Sequence, residues 1–139
     1  MKLLIKKLSI LNYTQALSLW RKTPGMGLSS ADSKENIAGF IEKNRNLCFA
    51  AFEKDHLIGT ILCGEDGRRG YLYHLAVDET HRKKGIAQEL IARSLKGLKE
   101  RGIQKCHLFA YKENKEGIQF WKHMGWVLRK ELEILSKEL

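Results

Sequence analysis

The chain has 139 residues, 43% of them hydrophobic and 29% charged, with a formal net charge of +9. That length suits a single domain over residues 1–139, large enough to bury about two-thirds of its unfolded surface. No apolar run approaches the roughly 20 residues of a membrane span. Three cysteines without metal-ligand spacing and five scattered histidines speak against a metal site and fit a reducing cytoplasm.

From the N-terminus, "MKLLIKKLSIL" resembles a leader. However, Lys6 and Lys7 interrupt its apolar stretch and no small-residue cleavage site follows, so residues 2–8 predict a strand. Residues 12–22 predict a helix stopped by Pro24-Gly25, followed by a glycine-rich loop, "GMGLSS". Asp32 with Glu35 has the spacing of a capping box, opening a helix over about 33–44. Three strands follow, near 47–53, 57–64 and 70–77, broken by the turns "EKDH" and "EDGRRG", and short turns make them antiparallel neighbours. Cys48, Cys63 and Cys106 lie in strand-like apolar runs and read as free thiols.

Next, Ile86, Leu90, Ile91, Leu95 and Leu98 recur at helical spacing, and Gly102 supplies a stop. Residues 105–111 predict a strand, which makes 70–111 a β-α-β unit with parallel strands. A helix over 115–124 ends at Gly125, and residues 126–130 and 132–137 predict two last strands. The fold class expected is α/β, a mixed and mostly antiparallel sheet with one parallel β-α-β unit and helices on both faces.

A positive balance suits polyanions, whether nucleic acid, an anionic membrane surface or a phosphorylated cofactor. The basic residues concentrate in "HRKKGIAQEL", between a strand and a helix. The first turn of a helix has unpaired N–H groups and partial positive charge. Gly85 and Ala87 leave the backbone open, and Arg82, Lys83 and Lys84 add charge at the same point. That combination predicts phosphate binding. It is neither a P-loop nor a dinucleotide-binding turn.

"HLAVDETHRKKGIAQELI" resembles motif A of the GNAT superfamily of N-acetyltransferases, a strand ending in Ala-Val and then Arg/Gln-x-x-Gly-x-Gly/Ala opening a helix. "NKEGIQFWKHMGW" resembles the family's later segment Asn-x-x-Ala-x-x-Phe-Tyr-x-x-x-Gly-Phe. The resemblance implies acetyl-CoA as cosubstrate. Its pyrophosphate would lie on the backbone from Lys83 through Lys84, Gly85, Ile86 and Ala87 to Gln88, with Arg82 alongside. Its pantetheine would run beside Leu75, Ala76 and Val77 like an added strand. Asn114 falls on the family's pantetheine-binding asparagine. The family's usual tyrosine acid is Trp121 here, and an indole N–H supplies no proton near neutral pH, so Trp121 is expected to pack against the cofactor.

Amide formation from a thioester needs a neutral amine, a polarised carbonyl and a stabilised thiolate. By the family's pattern the Val77 N–H polarises the carbonyl, and bases on the strand ending at Val77 fall on Tyr71 and Tyr73. A glutamate the family carries on the later strand is Phe109. Strict strand alternation puts Tyr71 and Tyr73 on the face of Val77, and His74 with Leu72 and Ala76 on the other. The expected route is therefore a water held by Tyr73, with Tyr71 or Glu65 beyond it. Trp20, Met26 and Leu28 fall where relatives line the acceptor pocket.

The function expected is acetyl transfer from acetyl-CoA to a small-molecule or peptide amine, in the cytoplasm, by a monomer or homodimer with no membrane and no specific nucleic-acid partner. A non-catalytic acyl-CoA-binding module and a basic nucleic-acid-binding domain are the alternatives.

Overall fold

Near-continuous buried runs in the first half of the chain, such as FAAFE and LIGTILCG, become a sheet because each strand finds a ladder partner. A computed structural model describes residues 3–139, so the start of the expected first strand, at residue 2, lies outside the described residues. They form two compact units, residues 3–109 and 110–139.

In the first unit the strands are β1 (Leu3–Lys7), β2 (Phe49–Glu53), β3 (His56–Glu65), β4 (Gly70–Val77) and β5 (Cys106–Leu108). They lie side by side in sequence order, antiparallel except for the parallel pair β4–β5. The helices are α1 (Tyr13–Lys22), α2 (Lys34–Lys43) and α3 (Ile86–Glu100). Ala16, Leu19 and Trp20 of α1 and Ile37 of α2 pack with Ala50, Phe52, Leu62 and Ala76 on one sheet face. On the other face α3 buries Ile86, Leu90, Ile91 and Leu98. A side chain at Gly59 would meet Leu90 at 3.3 Å, and one at Gly70 would meet Leu98 at 2.6 Å. The expected mixed sheet with helices on both faces is present.

One irregularity changes which way side chains point. Thr60 pairs with Ala76 and Leu62 with Tyr73, so the single residue Ile61 stands opposite two, His74 and Leu75. This is a β-bulge in β4. His74 takes φ 49°, the left-handed region. The extra residue shifts the alternation, so Tyr73 and Ala76 share a face. Gly59, whose missing Cβ faces α3, is paired with Val77 instead. The expectation that Tyr71 and Tyr73 share Val77's face, and that His74 points away from them, is therefore corrected. Strict period-two counting fails across an inserted residue.

Two local expectations are also corrected. Asp32 and Glu35 do not form a capping box. Ser33 caps α2, its hydroxyl accepting from Asn36 N at 3.2 Å, while Asp32 closes a 3-10 turn over Ser30–Asp32 by accepting from Ser29 N at 3.0 Å. A free serine next to the first helical residue reaches the unpaired N–H groups directly. The strand expected over 105–111 is only Cys106–Leu108, and Phe109 and Tyr111 are exposed.

The second unit contains α4 (Lys115–His123). Asn114 caps it, accepting from Gly117 N at 3.1 Å, and Trp121 packs edge-on against Phe120 and Trp126. The strands expected over 126–130 and 132–137 are absent. Val127, Leu132, Ile134 and Leu135 are exposed, and no described residue of the segment joins a ladder. Alternating apolar residues specify a strand only where a partner satisfies its backbone.

Candidate acyl-transfer site

The β4–α3 connection gathers the charge. Asp78 caps a 3-10 turn over Glu79–His81, its carboxylate accepting from Thr80 N at 3.0 Å and Thr80 Oγ1 at 2.7 Å. Those bonds, with Lys22 at 3.5 Å, hold the Asp78 carboxyl down at about 2. His81 Nε2 reaches Glu53 at 3.0 Å and pins the turn to β2. Arg82 Nε donates to Val77 O at 3.3 Å. Lys83 and Gly85 both take positive φ, 63° and 80°, and Gly85 is the N-cap of α3. A Cβ built at Gly85 meets nothing within 4 Å, so the space before the helix is open. The first intrahelical bond is Glu89 N to Gly85 O, which leaves the N–H groups of Ile86, Ala87 and Gln88 facing that space. Arg82, Lys83 and Lys84 are exposed around it. These donors and charges fit a pyrophosphate.

The edge of β4 has a matching feature. The ladder between β4 and β5 covers only Gly70–Leu72 with Cys106–Leu108. Beyond it, the outer edge of Tyr73–Val77 pairs with no described strand. Apart from Val77 O, which Arg82 holds, its outward N–H and C=O groups are thus available to an extended chain carrying amide groups, such as a pantetheine arm.

Tyr71, Tyr73, His107 and Phe109 form an aromatic array on the face that carries α1 and α2. Centroid separations are 6.4 Å for Tyr71–Tyr73, 6.4 Å for Tyr71–Phe109, 6.5 Å for Tyr73–Phe109 and 5.8 Å for Tyr71–His107, with Phe40 of α2 at 6.0 Å from Tyr73. Partial burial, reinforced by Tyr71, raises the Tyr73 phenol above its ordinary value, which favours a hydrogen-bonding role over direct proton abstraction. Glu65 is engaged elsewhere. Its carboxylate accepts from Arg101 Nη1 at 3.0 Å and from Gly67 N.

His74 joins this face. Its Nε2 is 2.7 Å from Asp32 Oδ1, and its ring lies 4.7 Å from that of Trp20. Alternation placed His74 on the far side. Only the bulge brings it here, and no pattern in the sequence announces that bulge. Trp20 is 1% exposed and donates to Thr60 Oγ1 at 2.9 Å, so it belongs to the core and no acceptor reaches it. Leu28 lines a surface cleft of about 290 Å³ with Tyr13, Arg21, Ser29 and Asp32. Burial pushes the Cys48 thiol up to about 11 and raises Cys63 as well, so neither is poised as a nucleophile.

Comparison with known proteins bears on this arrangement. The acetyltransferase (GNAT) family model matches residues 13–126. An N-alpha-acetyltransferase of Arabidopsis thaliana, MAK3, is 37% identical over 90 residues, 62% of this chain and 47% of that protein's length. The chain thus spans about half of that relative. N-alpha-acetyltransferase 30 of Schizosaccharomyces pombe is 31% identical over 110 residues, 76% of this chain and 73% of its own. A crystal structure of the NatC complex bound to Gag peptide and CoA superposes with a TM-score of 0.80 at 23% identity, covering 94% of this chain and 87% of that one.

Proposed function

Given that the chain belongs to the acetyltransferase (GNAT) family, we propose that it moves an acetyl group from acetyl-CoA to the α-amine of a peptide, by direct attack in a ternary complex. The observation that carries this reading is the unpaired edge of Tyr73–Val77 leading directly into the basic turn that opens α3. The acceptor is drawn from the two relatives named N-alpha-acetyltransferases.

In this reading the backbone of Leu75, Ala76 and Val77 aligns the pantetheine, and the N–H groups from Lys83 to Gln88 receive the pyrophosphate, with Arg82 and Lys84 adding charge. Acetyl-CoA supplies an activated acyl group with a good leaving group. The Val77 N–H polarises the thioester carbonyl. Tyr73 holds a water against the acceptor amine, and Tyr71 lines the same pocket. Glu65, the further relay group expected from the sequence, sets the Arg101 contact instead. Asn114 and Trp121 enter through the motif they occupy, as pantetheine-binding and packing residues. Residues 1–139 act as one functional domain working in the cytoplasm. Among the described residues, no helix is long and apolar enough to cross a membrane.

The test is thiol release from acetyl-CoA with decapeptides bearing free α-amines, followed by mass spectrometry. Acetylation at the N-terminus is expected, and none on peptides whose α-amine is blocked. Acetylation confined to lysine side chains or small amines would overturn the acceptor. CoA binding without any turnover would favour the acyl-CoA-binding module.

A further inference from the structure

Among the described residues, His74 is the only one inside a strand with positive φ, 49°. That conformation is strained for any residue with a Cβ, and glycine would adopt it freely. The position nevertheless holds an imidazole, held through its backbone, its ring face and one ring nitrogen. Trp20 Nε1 donates to Thr60 Oγ1, and Thr60 Oγ1 donates to His74 O, both at 2.9 Å, so the bulge backbone is tied to the core. The ring of Trp20 meets the imidazole at 67°.

The ring's tautomer follows from its partner. Asp32 Oδ1 lies 2.7 Å from Nε2, and Asp32 Oδ2 is taken by Ser29 N at 3.0 Å. A carboxylate oxygen accepts from Nε2 when that nitrogen carries the hydrogen, and in that tautomer of the neutral ring Nδ1 keeps its lone pair. Nδ1 has no partner among the described residues. No buried side-chain nitrogen or oxygen there lacks one, so Nδ1 reaches solvent. The side chains of His74 and Asp32 are 14% and 11% exposed. The other titratable or charged groups around the pair are Tyr13, whose hydroxyl donates to Asp32 O at 2.6 Å, Arg21, which lines the cleft beside Asp32, and Tyr73, its neighbour on β4.

An imidazole held by a carboxylate through one nitrogen, with the other open, is the arrangement of a general base. We propose that His74 Nδ1 takes the proton of the acceptor ammonium, through the water held by Tyr73, with Asp32 fixing the tautomer and stabilising the imidazolium. This inference rests on the acetyltransferase reading above. The ammonium gives one proton to Nδ1. Its freed lone pair attacks the thioester carbonyl carbon, a C–N bond forms and the C–S bond breaks, the sulfur leaving with that bond's electron pair. The nitrogen's second proton passes to the sulfur, and the imidazolium returns its proton to bulk water.

The test is the pH profile of kcat/KM for acetyl-CoA with decapeptides bearing free α-amines. Wild type should rise with pH and level off before the peptide amine, at about 8, has itself become neutral. His74→Gln should bind CoA normally, lose about 10- to 100-fold at pH 7, and move its limb up to the amine's own value. Asp32→Asn should lose about 10-fold and lower the limb. A folded His74→Gln whose profile superposes on wild type would overturn the assignment. Should that variant not fold, a wild-type limb at the amine's value, together with an unshifted limb in Asp32→Asn, overturns it equally. Wild-type protein that neither binds CoA nor transfers acetyl would sink the acetyltransferase reading, and this assignment with it.

Discussion

Gly85 combines a φ of 80° with open space around its missing Cβ. A side chain there would meet no protein and would project in front of the first turn of α3, where a phosphate approaches. Gly85→Glu puts a negative charge at that point and also strains the backbone by about 1–2 kcal/mol. Calorimetry should show CoA affinity falling at least tenfold, with melting only modestly lower. Unchanged affinity in the folded variant would remove the turn from the cofactor site. Four residues before the turn's arginine, Asp78 makes a different prediction. Its carboxyl is held at about 2 by Thr80 and Lys22, against about 3.9 in an unfolded chain. The stabilisation is complete above the unfolded value and is lost as pH falls through roughly 4 to 2. Once solvent screening is allowed for, it is about 1 kcal/mol. Wild-type melting temperature should decline through that window, and Asp78→Asn should show a lower plateau and a smaller decline.

Secondary structure elements separate what was legible in the sequence from what was not. The β-α-β unit was legible because Ile86, Leu90, Ile91, Leu95 and Leu98 state a period and Gly85 and Gly102 mark its ends. The basic turn was legible because charge and glycine coincide at a helix start. The bulge at His74 was not, since nothing local distinguishes "YLYHLAV" from a regular strand. Only the pairing of Thr60 and Leu62 across the ladder creates the insertion. The tail after Trp126 misled for the converse reason, carrying strand-like alternation without a ladder. Close packing makes a further prediction for α3. A Cβ at Gly97 would sit 2.7 Å from Leu47 Cδ2 and 2.9 Å from Asn46 O, and the neighbouring Ser94 Oγ donates to Leu47 O at 2.7 Å. Backbone cannot give way as a side-chain tip can. Gly97→Ala should therefore destabilise by about 1–3 kcal/mol, despite alanine's better helix propensity. Urea denaturation would show it, and equal or raised stability would mean that α3 can shift from the Asn46–Leu47 backbone.

At the scale of the whole molecule, charge decides between partners. Residues 1–109 hold 19 of the 25 Lys and Arg but only 11 of the 16 Asp and Glu, so they carry +8 of the +9. A field of that sign draws in any polyanion. CoA and a nucleic acid nevertheless respond differently to salt. A compact ligand with about four charges engages one cluster and adds directed bonds from the N–H groups of α3, which salt does not screen away. A long strand held by scattered lysines depends on counterion release and weakens steeply. Titrations of CoA and of a 30-nucleotide single strand should be compared at 50 and 300 mM salt. The CoA dissociation constant is expected to rise by less than about tenfold, and strand binding to fall by at least about 100-fold, leaving no useful affinity at the higher salt. Replacing Lys83 and Lys84 together by glutamine should weaken CoA markedly while changing the strand's salt slope by only about 2 charges' worth. Strand affinity that survives 300 mM salt while CoA does not compete for it would mean that the basic surface serves nucleic acid in its own right.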